Sequence, residues 1–270
     1  MTPLLHKITS ICPLFLLLGA AHLSAQVVAS EPFNTNGNLS SLNDGAGFTG
    51  AWTVTPAGGA STTWTVSDGA AVVQGVGQNV AARALSISSA SAPSVYFSFT
   101  ASVSDFAALA AHSVSDEFKL MSGSTALSTT NVFSGSSGYR LQQSDAGTKS
   151  AYLNANASAT GITMTIVGEF TFDDGSGNAV LNIWLNPASS AATPTFTDTW
   201  SSSVTSITGI QLARYDSYSL GADVTTQFGA ITIGTTWDSV TAAAIPEPAA
   251  CAVLLGLAAA GWAVLRRRRS

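Results

Sequence analysis

The stretch Ile162 to Phe172 constrains the fold most, because apolar and polar residues alternate along it. A period of two places successive side chains on opposite faces of a β-strand, so one face of this segment is apolar and the other is polar. Phe97 to Val103 has the same pattern. Both stretches predict strands with one buried face.

A hairpin is expected directly after the first of these stretches. The glycine-containing segment Asp173 to Asn178 separates it from Val180 to Leu185, where alternation resumes. Ten or so short strands and at most one helical turn, near Asp105 to His112, predict an all-β ectodomain with a β-sandwich or jelly-roll architecture. The other expected strands are Trp52 to Val54, Trp64 to Val66, Ala71 to Gln74, Phe118 to Met121, Tyr139 to Gln142, Ile207 to Tyr215 and Phe228 to Ile233.

The first 25 residues have the pattern of a secretory signal peptide, to be handled by the Sec translocon and signal peptidase. Lys7 supplies the positive charge, Ile8 to Ala21 is mostly apolar, and Leu23-Ser24-Ala25 ends in a small residue. We expect cleavage after Ala25, with cleavage after Ala29 as the alternative.

The C-terminal end predicts a single membrane-spanning helix. The uncharged run Ala249 to Leu265 would rise about 25 Å as a helix, enough for a slightly thin bilayer. The four arginines that follow would stay in the cytoplasm and hold the preceding chain outside the inner membrane, as a stop-transfer block. A buried core helix is the alternative, but it does not explain the cluster of Arg266, Arg267, Arg268 and Arg269.

A Pro-Glu-Pro tripeptide precedes this run, and its prolines favour an extended backbone that a protease cleft accepts. The segment Ile245 to Ser270 resembles the PEP-CTERM sorting signal, with all three parts in order. The resemblance implies an exosortase as partner and an exopolysaccharide-producing Gram-negative host. It also implies a sorting motif consisting of Pro246, Glu247 and Pro248. A plain C-terminal anchor is the alternative.

The predicted ectodomain, Gln26 to Ala244, is acidic and contains no cysteine. Five basic side chains against fourteen acidic ones give it a net charge of −9, which makes nucleic acid an improbable partner. Without cysteine it can hold no disulfide, thiolate metal site or cysteine nucleophile. His112 is its only histidine, and no supporting motif surrounds it. We therefore expect no cofactor, no metal and no catalytic residue.

Two further segments resemble those that open and close many exported domains of planctomycetes and verrucomicrobia. These are the glycine-rich Leu42 to Trp52 and the segment Phe228 to Val240. Such domains are similar to the concanavalin A-like lectin/glucanase (laminin G-like) jelly roll. The resemblance implies that the two segments are neighbouring strands. Phe48 and Gly229-Ala230 depart from the usual pattern.

Enzymes of that fold use two carboxylates on one strand, facing each other about 5 Å apart. The adjacent pairs Asp116-Glu117 and Asp173-Asp174 would point to opposite faces, so we expect no glycoside hydrolysis. The loop Asp173 to Asn178 has oxygen ligands suited to Ca²⁺ but no complete ligand set, and a polar hairpin tip is the preferred interpretation. Trp184, on the polar face of its strand, is the candidate glycan contact.

The leading hypothesis is therefore a non-catalytic cell-surface or exopolysaccharide-matrix protein, exported, anchored in the inner membrane and then processed by an exosortase. The alternative is a carbohydrate-binding module or degenerate glycoside hydrolase of the concanavalin A-like fold.

Overall fold

The computed structural model describes residues 26–57, 63–104, 114–135, 138–143, 149–153, 162–216 and 224–242. This part of the chain folds almost entirely into strands, joined by turns. One 3₁₀ turn spans Leu39–Ser41 and one short helix, α1, spans Trp237–Thr241. The strands are β1 Val27–Glu31, β2 Gly37–Asn38, β3 Thr53–Ala57, β4 Thr63–Ser67, β5 Ala70–Gln74, β6 Gln78–Ser88, β7 Ser94–Val103, β8 Val114–Ser122, β9 Thr125–Gly135, β10 Gly138–Gln143, β11 Lys149–Leu153, β12 Ile162–Thr171, β13 Ala179–Leu185, β14 Phe196–Trp200, β15 Ser206–Asp216, β16 Thr226–Gly229 and β17 Ile231–Gly234.

The strands form two antiparallel sheets. The ten-stranded sheet has the order β14-β13-β12-β7-β16-β5-β4-β2, and β17 pairs with both β7 and β1. The seven-stranded sheet has the order β11-β10-β9-β8-β15-β6-β3. β16 and β17 therefore share one edge of β7, with the chain stepping from one to the other at Ala230.

The apolar faces of the two sheets pack against each other as a β-sandwich. Phe97 and Phe99 of β7 stack on Phe118 of β8, with ring centroids 5.3 and 4.4 Å apart. Phe228 joins this aromatic group from β16. These side chains are buried, as the alternation along each strand requires. The predicted sandwich architecture is confirmed.

Two buried ion pairs lie in the core, and one of them connects the sheets. Glu31 of β1 accepts hydrogen bonds from Arg83 of β6 and from the indole Nε1 of Trp52, at 2.9 Å for the indole. Arg214 of β15 donates a hydrogen bond to Asp116 of the neighbouring strand β8, within the seven-stranded sheet. Each pair is almost completely buried, so each depends on its partner to offset the loss of hydration.

The glycine-rich segment Leu42 to Trp52 lies along β1. Ala46 forms an isolated bridge with Ser30, and Gly45 and Gly47 have φ angles of +81° and +80°. A Cβ on Gly47 would lie 2.0 Å from the Val28 carbonyl oxygen, so only glycine permits this approach.

The expectation that the first and last segments are neighbours requires correction in detail. β17 pairs with β1 and β7, and the glycine-rich segment forms its bridge with β1 rather than with the closing strand. The closing strand ends at Gly234, after which Trp237–Thr241 is helical. Thr236 caps this helix, accepting from the Ser239 amide, which explains the change from strand to helix.

Several predicted features lie outside the described residues. These are the signal peptide, His112 and the whole segment Ile245 to Ser270, which contains the sorting motif, the membrane helix and the arginine cluster. Within the ranges described above, the one helix is too short to cross a membrane.

Candidate functional site

The carboxylates of the adjacent pair Asp116-Glu117 point to opposite faces of β8, as predicted. Asp116 faces the core and accepts two hydrogen bonds from Arg214, at 2.8 Å each, and one from the Thr226 hydroxyl. Arg214 also donates to the Val224 carbonyl. Asp116 is thus held in a closed, buried network and cannot meet Glu117 at a substrate.

Glu117 faces outward, beside Lys119 and Tyr215 on the seven-stranded sheet. The Lys119 ammonium lies 2.7 Å from the Glu117 carboxylate and donates to the Tyr215 hydroxyl at 3.2 Å. Burial alone would lower the pKa of Lys119, but Glu117 and Tyr215 together raise it above its ordinary value. This carboxylate is paired with a cation, so it is not arranged as a general acid.

Asp173 and Asp174 cap the hairpin tip between β12 and β13. Asp173 accepts from the amides of Gly175 and Gly177, and Asp174 accepts from the amide of Ser176 at 2.8 Å. Hydrogen bonds from the loop backbone, that of Ser176 first, lower the pKa of Asp174. In the described residues, no group of three or more His, Cys, Asp or Glu side chains could hold a metal ion. The loop geometry is that of a polar hairpin tip.

Trp184 lies on the outer face of the ten-stranded sheet, as its strand position predicts, but it is buried there. Its exposed fraction is 6%, its ring packs edge-on against Trp237 at 5.1 Å, and its indole N–H donates to the Ala192 carbonyl. The helix α1 covers it together with the segment that follows β13. The exposed indole face expected for a glycan contact is therefore absent.

A row of polar side chains crosses four strands of the ten-stranded sheet on the same outer face. The Tyr96 hydroxyl and the Asn182 amide both donate to the Glu169 carboxylate, and Thr197 donates to Asn182. Burial, and then the Glu169 carboxylate, raise the pKa of Tyr96 well above its usual range. These four side chains are hydrogen-bonded to one another, so we interpret the row as structural.

The described part of the chain contains a cleft that our sequence analysis did not predict, which we call the edge cleft. Its lining includes residues of β2 and β3, which are edge strands of the two sheets, and its volume is about 370 Å³. That volume falls within the roughly 300–1,000 Å³ common for small-molecule pockets. The cleft is lined by Asn38, Ser40, Val54, Pro56, Thr63, Trp64, Thr65 and Asn79.

The edge cleft has a buried floor and a polar rim. Trp64 and Asn79 are both 2% exposed, whereas Asn38, Ser40 and Thr63 at the rim are exposed. The Trp64 indole packs against Phe228 in the core, and its Nε1–H has no hydrogen-bond partner in the part of the chain that is described. No lining residue carries an ionisable side chain.

Comparisons with known proteins do not assign this chain to a family. No family model matches it, and no curated protein matches it. Among solved structures, it is similar to the CBM2 module of the evolved Dit of Lactobacillus casei BL23 phage J-1, with 12% identity and a TM-score of 0.49 over 78% of this chain and 97% of that one. It is also similar to the Emp47p carbohydrate recognition domain, with 11% identity and a TM-score of 0.49 over 78% and 96%. Lectin II from Ulex europaeus matches with 9% identity and a TM-score of 0.38 over 68% and 97%.

Proposed function

We propose that this chain is an exported, non-catalytic protein of the cell surface or of the exopolysaccharide matrix. The observation that carries this proposal is the separation of four of the acidic groups in the described part of the chain. Glu31 is buried in an ion pair between the sheets and Asp116 in an ion pair within the seven-stranded sheet, while Glu117 and Glu169 lie on the outer faces of different sheets. A glycosidase needs two carboxylates facing each other within about 5–10 Å across a substrate. These four carboxylates have no such arrangement.

The sorting part of the proposal depends on the sequence of Ile245 to Ser270. An exosortase would cut at the Pro246-Glu247-Pro248 motif after the apolar run and the arginines had halted export at the inner membrane. The inner membrane and the exosortase are thus the partners during maturation, and exopolysaccharide is the proposed acceptor or surrounding matrix.

The position of β1 supports signal-peptide cleavage after Ala25 rather than after Ala29. Ala29 is 1% exposed, and β1 pairs with β17 from Val27 onward. Cleavage after Ala29 would remove three of the five residues of the strand, including its core contact at Ala29. Cleavage after Ala25 would leave the strand complete.

The Glu247→Ala variant tests the sorting proposal, with Asp238→Ala as the matched control. Asp238 is an exposed acidic residue that lies in α1, outside the motif. We expect Glu247→Ala to remain full-length in the inner membrane, while the control is released without a C-terminal tag. Equal release of both variants with the tag still attached would refute the proposal.

A second candidate function, carbohydrate binding, is favoured by the edge cleft. Amide and hydroxyl groups surround an apolar floor there, which is the general composition of a small-molecule site. A glycan array probed with the mature protein tests this function. Saturable binding to at least one glycan is expected, and no binding to any glycan would leave the domain with a purely structural role.

A further inference from the structure

Cleavage after Ala25 would make Gln26 the first residue of the mature chain. The side-chain amide of a glutamine at that position lies within reach of the free α-amino group of the same residue. We propose that Gln26 cyclises to pyroglutamate once the signal peptide has been removed, and that the ring forms an uncharged cap on β1. This inference rests on the proposed cleavage after Ala25 and assigns a modification to the residue that the cleavage exposes.

The reaction closes a five-membered lactam and needs no co-reactant. The lone pair of the α-nitrogen attacks the side-chain carbonyl carbon Cδ, where a new C–N bond forms. The bond between Cδ and Nε2 then breaks, a proton passes from the α-nitrogen to Nε2, and the side-chain nitrogen leaves as ammonia. Only the neutral amine has this lone pair, and an α-amino group loses its proton far more readily than a lysine side chain does.

The fold leaves the side chain of Gln26 exposed while it holds the backbone that follows. The Gln26 carbonyl accepts a hydrogen bond from the Thr235 amide at 3.0 Å, and β1 begins at the next residue, Val27. The lactam ring consists of the α-nitrogen, Cα, Cβ, Cγ and Cδ, and does not include the backbone carbonyl. The hydrogen bond from Thr235 can therefore persist in the product.

Gly234 of β17 allows the first residue to lie this close to the closing strand. Gly234 is aligned with Val27, and a Cβ on Gly234 would lie 2.9 Å from the Gln26 carbonyl oxygen, closer than real Cβ atoms come to a neighbour. In the mature chain, Gln26 is thus a single residue ahead of β1, fixed beside the sheet through its carbonyl.

A cap at this position would protect β1 from stepwise trimming, to which chain ends are prone. Aminopeptidases bind the free α-amine of a first residue, and the lactam converts that amine into an amide. Loss of Gln26 would remove the acceptor of the Thr235 amide, and continued trimming would reach Ala29, which is buried in the core. The cap would therefore preserve the strand that pairs with β17.

The test uses the mature protein purified from the producing cells, with its free amines blocked by an amine-reactive label at harvest. After denaturation, a protease that cuts after glutamate releases the segment Gln26 to Glu31 for mass spectrometry. We expect this peptide to be unlabelled and to have lost the mass of one ammonia molecule. Because the label is added first, a chain whose amine is free at harvest cannot cyclise during digestion.

Gln26→Asn is the matched control. Asparagine keeps the side-chain amide, but it is one methylene shorter, so attack by its α-amine would have to close a strained four-membered ring. The N-terminal peptide of this variant should be fully labelled. An aminopeptidase should trim the variant and leave the wild-type chain intact, and prior removal of pyroglutamate by a pyroglutamyl peptidase should make the wild-type chain equally sensitive. The thermal midpoints of the two proteins should be equal, since the carbonyl that binds Thr235 is unchanged.

The outcomes separate this inference from the cleavage on which it rests. A wild-type peptide that begins at Gln26 and carries the label would overturn the inference and leave the proposed cleavage after Ala25 in place. Equal trimming of the wild-type chain and Gln26→Asn would also overturn it. A first residue at Ser30, or a retained signal peptide, would contradict the cleavage site itself, and the inference would fail with it.

Discussion

The buried network of Asp116, Arg214 and Thr226 should contribute strongly to stability, and Arg214→Met tests this. The substitution would leave the Asp116 carboxylate, which is 0% exposed, with the Thr226 hydroxyl as the donor that remains from the network. It would also remove the donor to the Val224 carbonyl. Removing one partner of a buried pair typically costs about 3–5 kcal/mol. We expect a loss of that size in the free energy of unfolding.

The double variant Asp116→Leu/Arg214→Met should lose much less than the sum of the single variants. It removes both charges together, so no uncompensated charge stays in the core, and such replacements are often near neutral. The Val224 carbonyl and the Thr226 hydroxyl would still lose partners, at about 1–3 kcal/mol for each group left unsatisfied. We therefore expect a coupling free energy of at least about 2 kcal/mol between the two substitutions. Substitutions at independent sites are additive within about 0.3–0.5 kcal/mol.

Urea unfolding followed by tryptophan fluorescence measures these free energies, provided that the slope with urea stays constant. Lys119→Met is the control, because its ion pair with Glu117 lies on the outer face of the same sheet. It should cost less than Arg214→Met, because its two side chains keep more contact with water than those of Arg214 and Asp116 do. If Arg214→Met cost no more than the control, or the two core substitutions were additive, the buried network would have no special role.

The remaining predictions concern backbone geometry, alkaline stability and processing. Gly47→Ala should destabilise the domain by more than 1 kcal/mol, because its Cβ would meet the Val28 carbonyl, whereas Gly50→Ala, with no atom within 4 Å, should change its thermal midpoint little. The raised pKa of Tyr96 means that the folded chain retains a proton that the unfolded chain loses above about pH 10. Stability should therefore fall with rising pH above pH 10, and this slope should be smaller in Tyr96→Phe when measured by urea unfolding. N-terminal sequencing of the secreted protein should begin at Gln26, and a start four residues later would contradict the role given to β1.

Strands with a clean alternation of apolar and polar residues were predictable, and those without it were not. β7 and β12 match the predicted segments closely, and so does the hairpin between β12 and β13. β6 was missed although it has eleven residues, because its inner face includes Asn79 and Arg83. Those side chains become acceptable in the interior only through partners distant in sequence, such as Glu31.

The edge cleft could not be predicted for a related reason. Its lining residues come from four separate segments between Asn38 and Asn79, and only the order of strands in the two sheets brings them together. For Trp184, the strand face was predicted correctly. Its burial depends on Trp237, which reaches it because the chain turns into a helix after Gly234.

Both ends of the folded domain leave it at the same corner. The Gln26 carbonyl accepts a hydrogen bond from the Thr235 amide, and α1 is fastened to β7 where Ser98 donates to the Val240 carbonyl. From Ala242 to Pro246 the chain can reach at most about 14 Å. If the domain is exported and anchored as proposed, first by its leader and later by its tail, it would be attached to the bilayer at one corner throughout export. The opposite corner would then be the part of the domain most distant from the attachment point.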